Sequence, residues 1–153
     1  LINENDIARL NEFKAARENA FKINLAKGKI TTSNIRGNDK SFSVDKLLDN
    51  NFDTYWATDD NVKSAEITLD FGKETEFNTL LLQENIALGQ RVKKFSIQIW
   101  NGKEFETISQ NTTIGYKRIL RFPKVKTDKV KVIIEDAKAC LTISTLEIYN
   151  AEF

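Results

Sequence analysis

The stretch "LLDNNFDTYWATDD", residues 47–60, sets Asp49, Asp53, Asp59 and Asp60 beside Asn50, Asn51 and the rings of Tyr55 and Trp56. Carboxylates at this density suggest three kinds of chemistry. Acid catalysis of glycoside cleavage needs a pair of carboxyl groups facing each other across a bond. These four share one loop, whereas such pairs come from separate elements across a cleft. A second possibility is a cation loop. Asp49, Asn51 and Thr54 place side-chain oxygens at i, i+2 and i+5, a spacing that can wrap a hard cation with help from backbone carbonyls. The stretch is not an EF-hand, because it lacks that loop's glycine and closing glutamate. The third possibility is a polar connection, in which Asx turns and a strand starting at Tyr55 account for the same residues equally well.

The rest of the composition narrows the choice. The 153 residues contain no histidine, which removes Ser-His-Asp and Cys-His catalysis and the usual zinc and iron sites. A metal here is a hard, oxygen-bound one. The single cysteine, Cys140, forms no internal disulfide, and in "AKACLT" it reads as a small buried side chain. The net charge is +1 with 29% charged residues, so no field draws nucleic acid to the chain. Lys93 with Lys94, and the alternating Lys124, Lys126, Lys129 and Lys131, read as solvated strand faces. No apolar run approaches the roughly 18 residues that span a bilayer. No methionine is present, even at position 1, which predicts a processed chain or a piece of a longer one.

In "NENDIARLNEFKAARENAFKIN", residues 3–24, Ile7, Leu10, Phe13, Ala16, Ala20 and Phe21 recur at steps of three to four, which predicts a helix. Asn3 or Asp6 can cap its start, and Gly28 lies just beyond its end. From residue 29 the period becomes two: in "SAEITLDF", Ala65, Ile67, Leu69 and Phe71 face one way. "FNTLLL", "RVKKFSIQIW", "FETIS", "RILRF", "KVKVII" and "LTISTLEIY" follow, with turn signals between them, including the hairpin pair Asn101 and Gly102. Seven or eight short strands predict an all-β antiparallel sandwich, residues 28–153, behind a linker helix, residues 1–27. If connections alternate between two ends, tight turns at 72–77, 101–103 and 123–128 share one end. The longer connections at 58–63, 83–90, 110–116 and 136–141 share the other. They hold many of the loop asparagines and glutamines and the aromatic Tyr116, which suggests a binding face built of loops.

"DKLLDNNFDTYWAT" resembles the "A-x-D-G-x-x-x-T-x-W" segment of discoidin domains, also called coagulation factor 5/8 type C domains, a group that includes the family 32 carbohydrate-binding modules. The resemblance implies an eight-stranded jelly roll with Trp56 as a buried anchor. It also implies a structural calcium held by this loop and a glutamate of the last strand. Carried over, the ligands are the Lys46 carbonyl, Asp49, Asn51, Thr54, the Leu146 carbonyl and Glu147. Asn50 stands where the family often has glycine; asparagine also tolerates left-handed backbone. Further along, "LLLQENIALGQRVKKFSIQIW", "TTIGYKRILRF" and "LTISTLEIY" resemble the C-terminal discoidin-like domain of family 29 α-L-fucosidases. The helical "IARLNEFKAARENAFKINLAKG" resembles the connector from their catalytic barrel. The catalytic residues of those enzymes lie on the barrel, so none carries over. The resemblance also implies a periplasmic, secreted or cell-surface protein.

Sugar recognition needs a ring for stacking and planar polar groups for hydroxyl pairs. The long-loop end offers Arg36, Glu84, Asn85, Arg91, Tyr116 and Arg118. Galactose-binding discoidin modules often use an arginine in the loop at 83–90, where this chain has Glu84 and Asn85. Arg91 and Arg118 serve equally well as loop staples, with Glu84 as one partner. The leading expectation is a non-catalytic accessory module that binds fucose- or galactose-containing glycan weakly beside the barrel of the parent chain. The alternative is a domain that only packs on that barrel. A discoidin-like lipid-binding module would rely on Ile86, Ala87 and Leu88. A free-standing enzyme ranks last.

Overall fold

The computed structural model describes residues 23–151 apart from Asn50 and Phe52. The helix expected over 3–24 therefore lies outside the described residues except at its last two positions. Among the described residues there are seven strands: β1 (Lys29–Thr32), β2 (Trp56–Ala57), β3 (Ala65–Glu84), β4 (Val92–Trp100), β5 (Phe105–Asn111), β6 (Arg118–Ala137) and β7 (Thr142–Tyr149). All pairings are antiparallel. Short 3-10 turns at Arg36–Asn38, Lys40–Phe42 and Val44–Leu48 carry the chain from β1 to β2, and another spans Ile86–Leu88.

The strand signals at 65–71 and 77–82 join into one strand, and those at 118–122 and 129–134 into another. The turn signals at 72–77 and 123–128 are not hairpin turns. A hairpin requires the flanks of a turn to pair with each other. Here β3 pairs with β6 along nearly its whole length, from Ala65↔Ile134 to Leu82↔Arg118. The register shifts between Asp70 and Thr75, and again between Phe77 and Thr79. These bulges bend both strands together, as extra residues in a ladder do. Gly72 takes φ 76° at the first bulge, and the Asp70 side chain accepts its N–H. Pro123, which has no N–H to give, falls where the ladder is interrupted.

The bend lets each long strand serve two layers. Residues 67–70 of β3 pair with β1, and 130–137 of β6 pair with β4, which pairs with β5. Residues 79–84 of β3 pair with β7, which pairs with β2. The sandwich encloses one apolar cluster: Ile67, Leu69, Phe95, Ile97, Val130 and Val132 come from the first layer, and Leu80, Leu82, Leu120, Leu146 and Ile148 from the second. Alternation along each strand delivers these side chains inward. Ala26 joins the cluster, and the Leu25 N–H bonds to the Ile148 carbonyl, so the chain is already part of the body before residue 28. The Asn101–Gly102 signal does mark a hairpin. Its loop is four residues long, with the Asn101 side chain accepting the N–H groups of Lys103 and Glu104.

Gly28 shows where backbone approach fixes a residue. Its φ is 138°, and a Cβ there would lie 2.1 Å from the Asp70 carbonyl oxygen. Gly28→Ala should cost about 3 kcal/mol in a denaturant melt. Gly102→Ala, with φ 97° but open space around it, should cost about 1 kcal/mol. Equal costs at the two positions would contradict the close approach.

Candidate functional site

The long connections gather at one end of the sandwich, bound together by a few side chains. Glu84, at the end of β3, is 2% exposed. Its Oε1 accepts the N–H groups of Arg91 at 2.8 Å and Val92 at 2.9 Å, and its Oε2 accepts that of Gly115 at 2.8 Å. One buried carboxylate thus ties the 85–91 loop to the 112–117 loop. The backbone closes the same joint, with the Glu84 N–H on the Gly115 carbonyl and the Asn85 N–H on the Thr142 carbonyl. Thr58, fully buried, accepts the Leu141 N–H and donates to the Val62 carbonyl.

A second set of ties holds the turn at 34–39. Trp56 is fully buried, and its indole N–H donates to the Asn34 carbonyl at 2.9 Å. The Asp59 carboxylate accepts the Gly37 N–H at 2.7 Å and the Asn34 side-chain N–H at 3.2 Å. These bonds, the backbone one first, hold the Asp59 carboxyl below the usual carboxylate range. Arg36 pairs with Asp60 at 2.6 Å and reaches the Cys140 sulfur at 3.0 Å. Asp60 and then Cys140 raise the Arg36 guanidinium further above its ordinary value. Arg91 Nη1 meets the same sulfur and the Cys140 carbonyl, both at 3.0 Å. The staple expected between Arg91 and Glu84 therefore runs through the Arg91 backbone N–H, while its guanidinium turns to Cys140.

Beside these ties lies a cleft of about 280 Å³ lined by Asp53, Gln83, Glu84, Asn85, Ala87, Tyr116 and Ser144. Tyr116 stands at its wall, 67% exposed. Of the residues expected at a sugar site, the fold brings Glu84, Asn85 and Tyr116 together here. Arg36 and Arg91 meet at Cys140 instead. Arg118 points to the Asn111 side chain at 3.5 Å. Asp53, Gln83, Ala87 and Ser144 line the cleft as well, outside the set expected at a sugar site. Asp53 belonged to the aspartate-rich stretch and Gln83 and Ala87 to the long 83–90 connection. Ser144, in the middle of β7, gave no signal.

The loop proposed for a cation is compact. Asp49 Oδ1 accepts the Asn51 N–H at 3.0 Å, and Asp49 Oδ2 accepts the Thr54 hydroxyl at 2.5 Å. The Asn51 carbonyl accepts that hydroxyl too, and the Asn51 side-chain oxygen accepts the Asp53 N–H. Lys46 sits in the 3-10 turn Val44–Leu48, which packs against β7, the strand of Leu146 and Glu147. Leu146 faces the core. Glu147 faces away from it and accepts the Tyr149 hydroxyl at 3.0 Å. Burial, followed by the Glu147 charge, pushes the Tyr149 phenol up to about 12. The described residues hold no cluster of three or more His, Cys, Asp and Glu side chains, and the donor set has only two carboxylates. Its other members are neutral oxygens, a mixture that suits a hard cation.

A family model described as the F5/8 type C domain matches residues 29–145. The chain belongs to that family. Alpha-L-fucosidase 1 of Arabidopsis thaliana is 34% identical over 158 residues, covering the whole chain and 31% of the plant protein. A solved Ruminococcus gnavus GH29 fucosidase in complex with fucose superposes with a TM-score of 0.89 at 30% identity, over 99% of this chain and 31% of that one. Chitosan-binding module 1 of a Paenibacillus chitosanase/glucanase superposes at 0.73 over 83% of this chain and 98% of its own. At 20% identity, that likeness shows the shared fold. The F5/8 type C domain thus spans about a third of the length of the fucosidases it matches.

The Asp59 tie has a definite pH dependence. A carboxylate with a depressed folded-state value contributes stability above its unfolded value, near pH 4, and loses it as the pH falls through the folded value. A carbon-detected NMR titration should place the Asp59 midpoint below that of an ordinary exposed aspartate, with the Gly37 amide shifting in step. A midpoint at the ordinary value would contradict the tie.

Proposed function

We propose that this F5/8 type C domain is the non-catalytic, carbohydrate-binding accessory module of an α-L-fucosidase-like glycoside hydrolase that works in the periplasm, in secretions or at the cell surface. Whole-chain similarity to fucosidases supports the context. The observation that carries the binding role is the cleft. An exposed ring, Tyr116, lines it together with Gln83, Asn85 and Asp53, whose side chains make no hydrogen bond or ion pair among the described residues. A sugar's apolar face stacks on such a ring, and its hydroxyl groups take the polar ends. Tethered beside a catalytic barrel, even millimolar affinity concentrates substrate.

A titration with fucosylated and galactosylated oligosaccharides should show binding near millimolar, with shifts confined to the cleft. Tyr116→Ala should weaken it about tenfold, the worth of one stacking contact. Silence across a broad panel would leave the domain as packing for the barrel.

Calcium completes the reading as a structural ion. The residues that would hold it are the carbonyls of Lys46 and Leu146 with the side chains of Asp49, Asn51, Thr54 and Glu147. When bound, it supplies positive charge that offsets the two carboxylates and joins the loop to β7. Calcium should raise the melting temperature over that in chelator, and Glu147→Gln should abolish most of the rise. Identical melts would contradict an occupied site.

A further inference from the structure

Among the described residues, the charged side chains that line the cleft are both acidic, Asp53 and Glu84, and no lysine or arginine lines it. Glu84 is buried and shares its charge among three backbone N–H groups. Asp53 is exposed, and its carboxylate has neither an ion pair nor a hydrogen bond among the described residues. The arginines of this end are committed elsewhere: Arg36 to Asp60 and Cys140, Arg91 to Cys140, Arg118 to Asn111. Tyr116 adds a ring face, which attracts cations and not anions. A divalent cation held in the loop of Asp49, Asn51 and Thr54, to which Asp53 also belongs, would be offset by the carboxylates of Asp49 and Glu147 and would leave the Asp53 charge over.

We propose that Asp53 is a specificity-determining residue of this cleft, favouring sugars that carry an ammonium group over neutral ones and rejecting those that carry a sulfate. The proposal rests on the glycan-binding reading above and adds the class of sugar. An ammonium group beside Tyr116 gains both the Asp53 charge and the ring quadrupole. A sulfate in the same place meets a like charge with no cation among the described lining residues to offset it, the repulsive element that specificity needs.

The test uses three oligosaccharides of one backbone, bearing at a single position a free amine, an N-acetyl group or a sulfate, each titrated into the full chain at low and at high salt. The amine should bind about five- to tenfold tighter than the N-acetyl form and the sulfate weaker by a similar factor. The spread should narrow as salt rises. Asp53→Asn should bring the ratios among the three towards one, a readout that a merely structural role would not move. Equal affinities in the wild type, a spread indifferent to salt, or an unchanged order in Asp53→Asn would overturn the proposal while leaving glycan binding intact. If Asp53→Asn binds none of the three, the wild-type order and its salt dependence decide. Failure of the wild type to bind any of them would remove the glycan reading and this proposal with it.

Discussion

Three backbone N–H groups, from two loops and the start of β4, end on one buried carboxylate. Glu84 sits at the end of the long strand β3 with both oxygens occupied, so the 85–91 and 112–117 loops cannot separate without stranding a charge in the protein. Those loops supply Ala87 and Tyr116, while the strand end itself supplies Gln83 and the start of the loop Asn85. The cleft is therefore preorganised by a bond that no ligand needs to form. A long loop can present a ring in one place only when its own polar groups are satisfied.

The position of that carboxylate depends in turn on the two long strands. β3 and β6 run together through both layers and bend at matched bulges. Because they bend instead of stopping, the far end of each returns to the end of the sandwich from which it set out. Lys73, Glu74, Asn101, Lys126 and Asp128 line one hollow at the bend, away from the cleft. The Phe77 ring packs against both Phe71 and Phe122 near that corner.

This arrangement explains what could be read in the sequence. Period-two alternation located the strands, because one face of each lies on the core. The residues at 72–77 and 123–128 looked like tight turns between separate strands because glycine and proline mark a bulge as readily as a turn; only the pairing of β3 with β6 separates the two cases. The grouping of the long loops at one end was legible because bent strands and reversed strands place those loops alike. Trp56 was readable as an anchor from its family segment. The role of Glu84 was not, since a glutamate in a loop gives no sign that three distant N–H groups will converge on it. The aspartate-rich stretch proves to be four separate residues: Asp49 closes its own loop, Asp53 faces the cleft, Asp59 holds a turn and Asp60 pairs with Arg36.

The account is tested most directly by amide hydrogen exchange at Arg91, Val92 and Gly115, compared between the wild type and Glu84→Gln. If the carboxylate holds the loops, all three amides exchange in the wild type as slowly as amides of the neighbouring sheet, and all three accelerate together in Glu84→Gln. Wild-type exchange at the rate of exposed loops, or protection that survives the substitution, would contradict it.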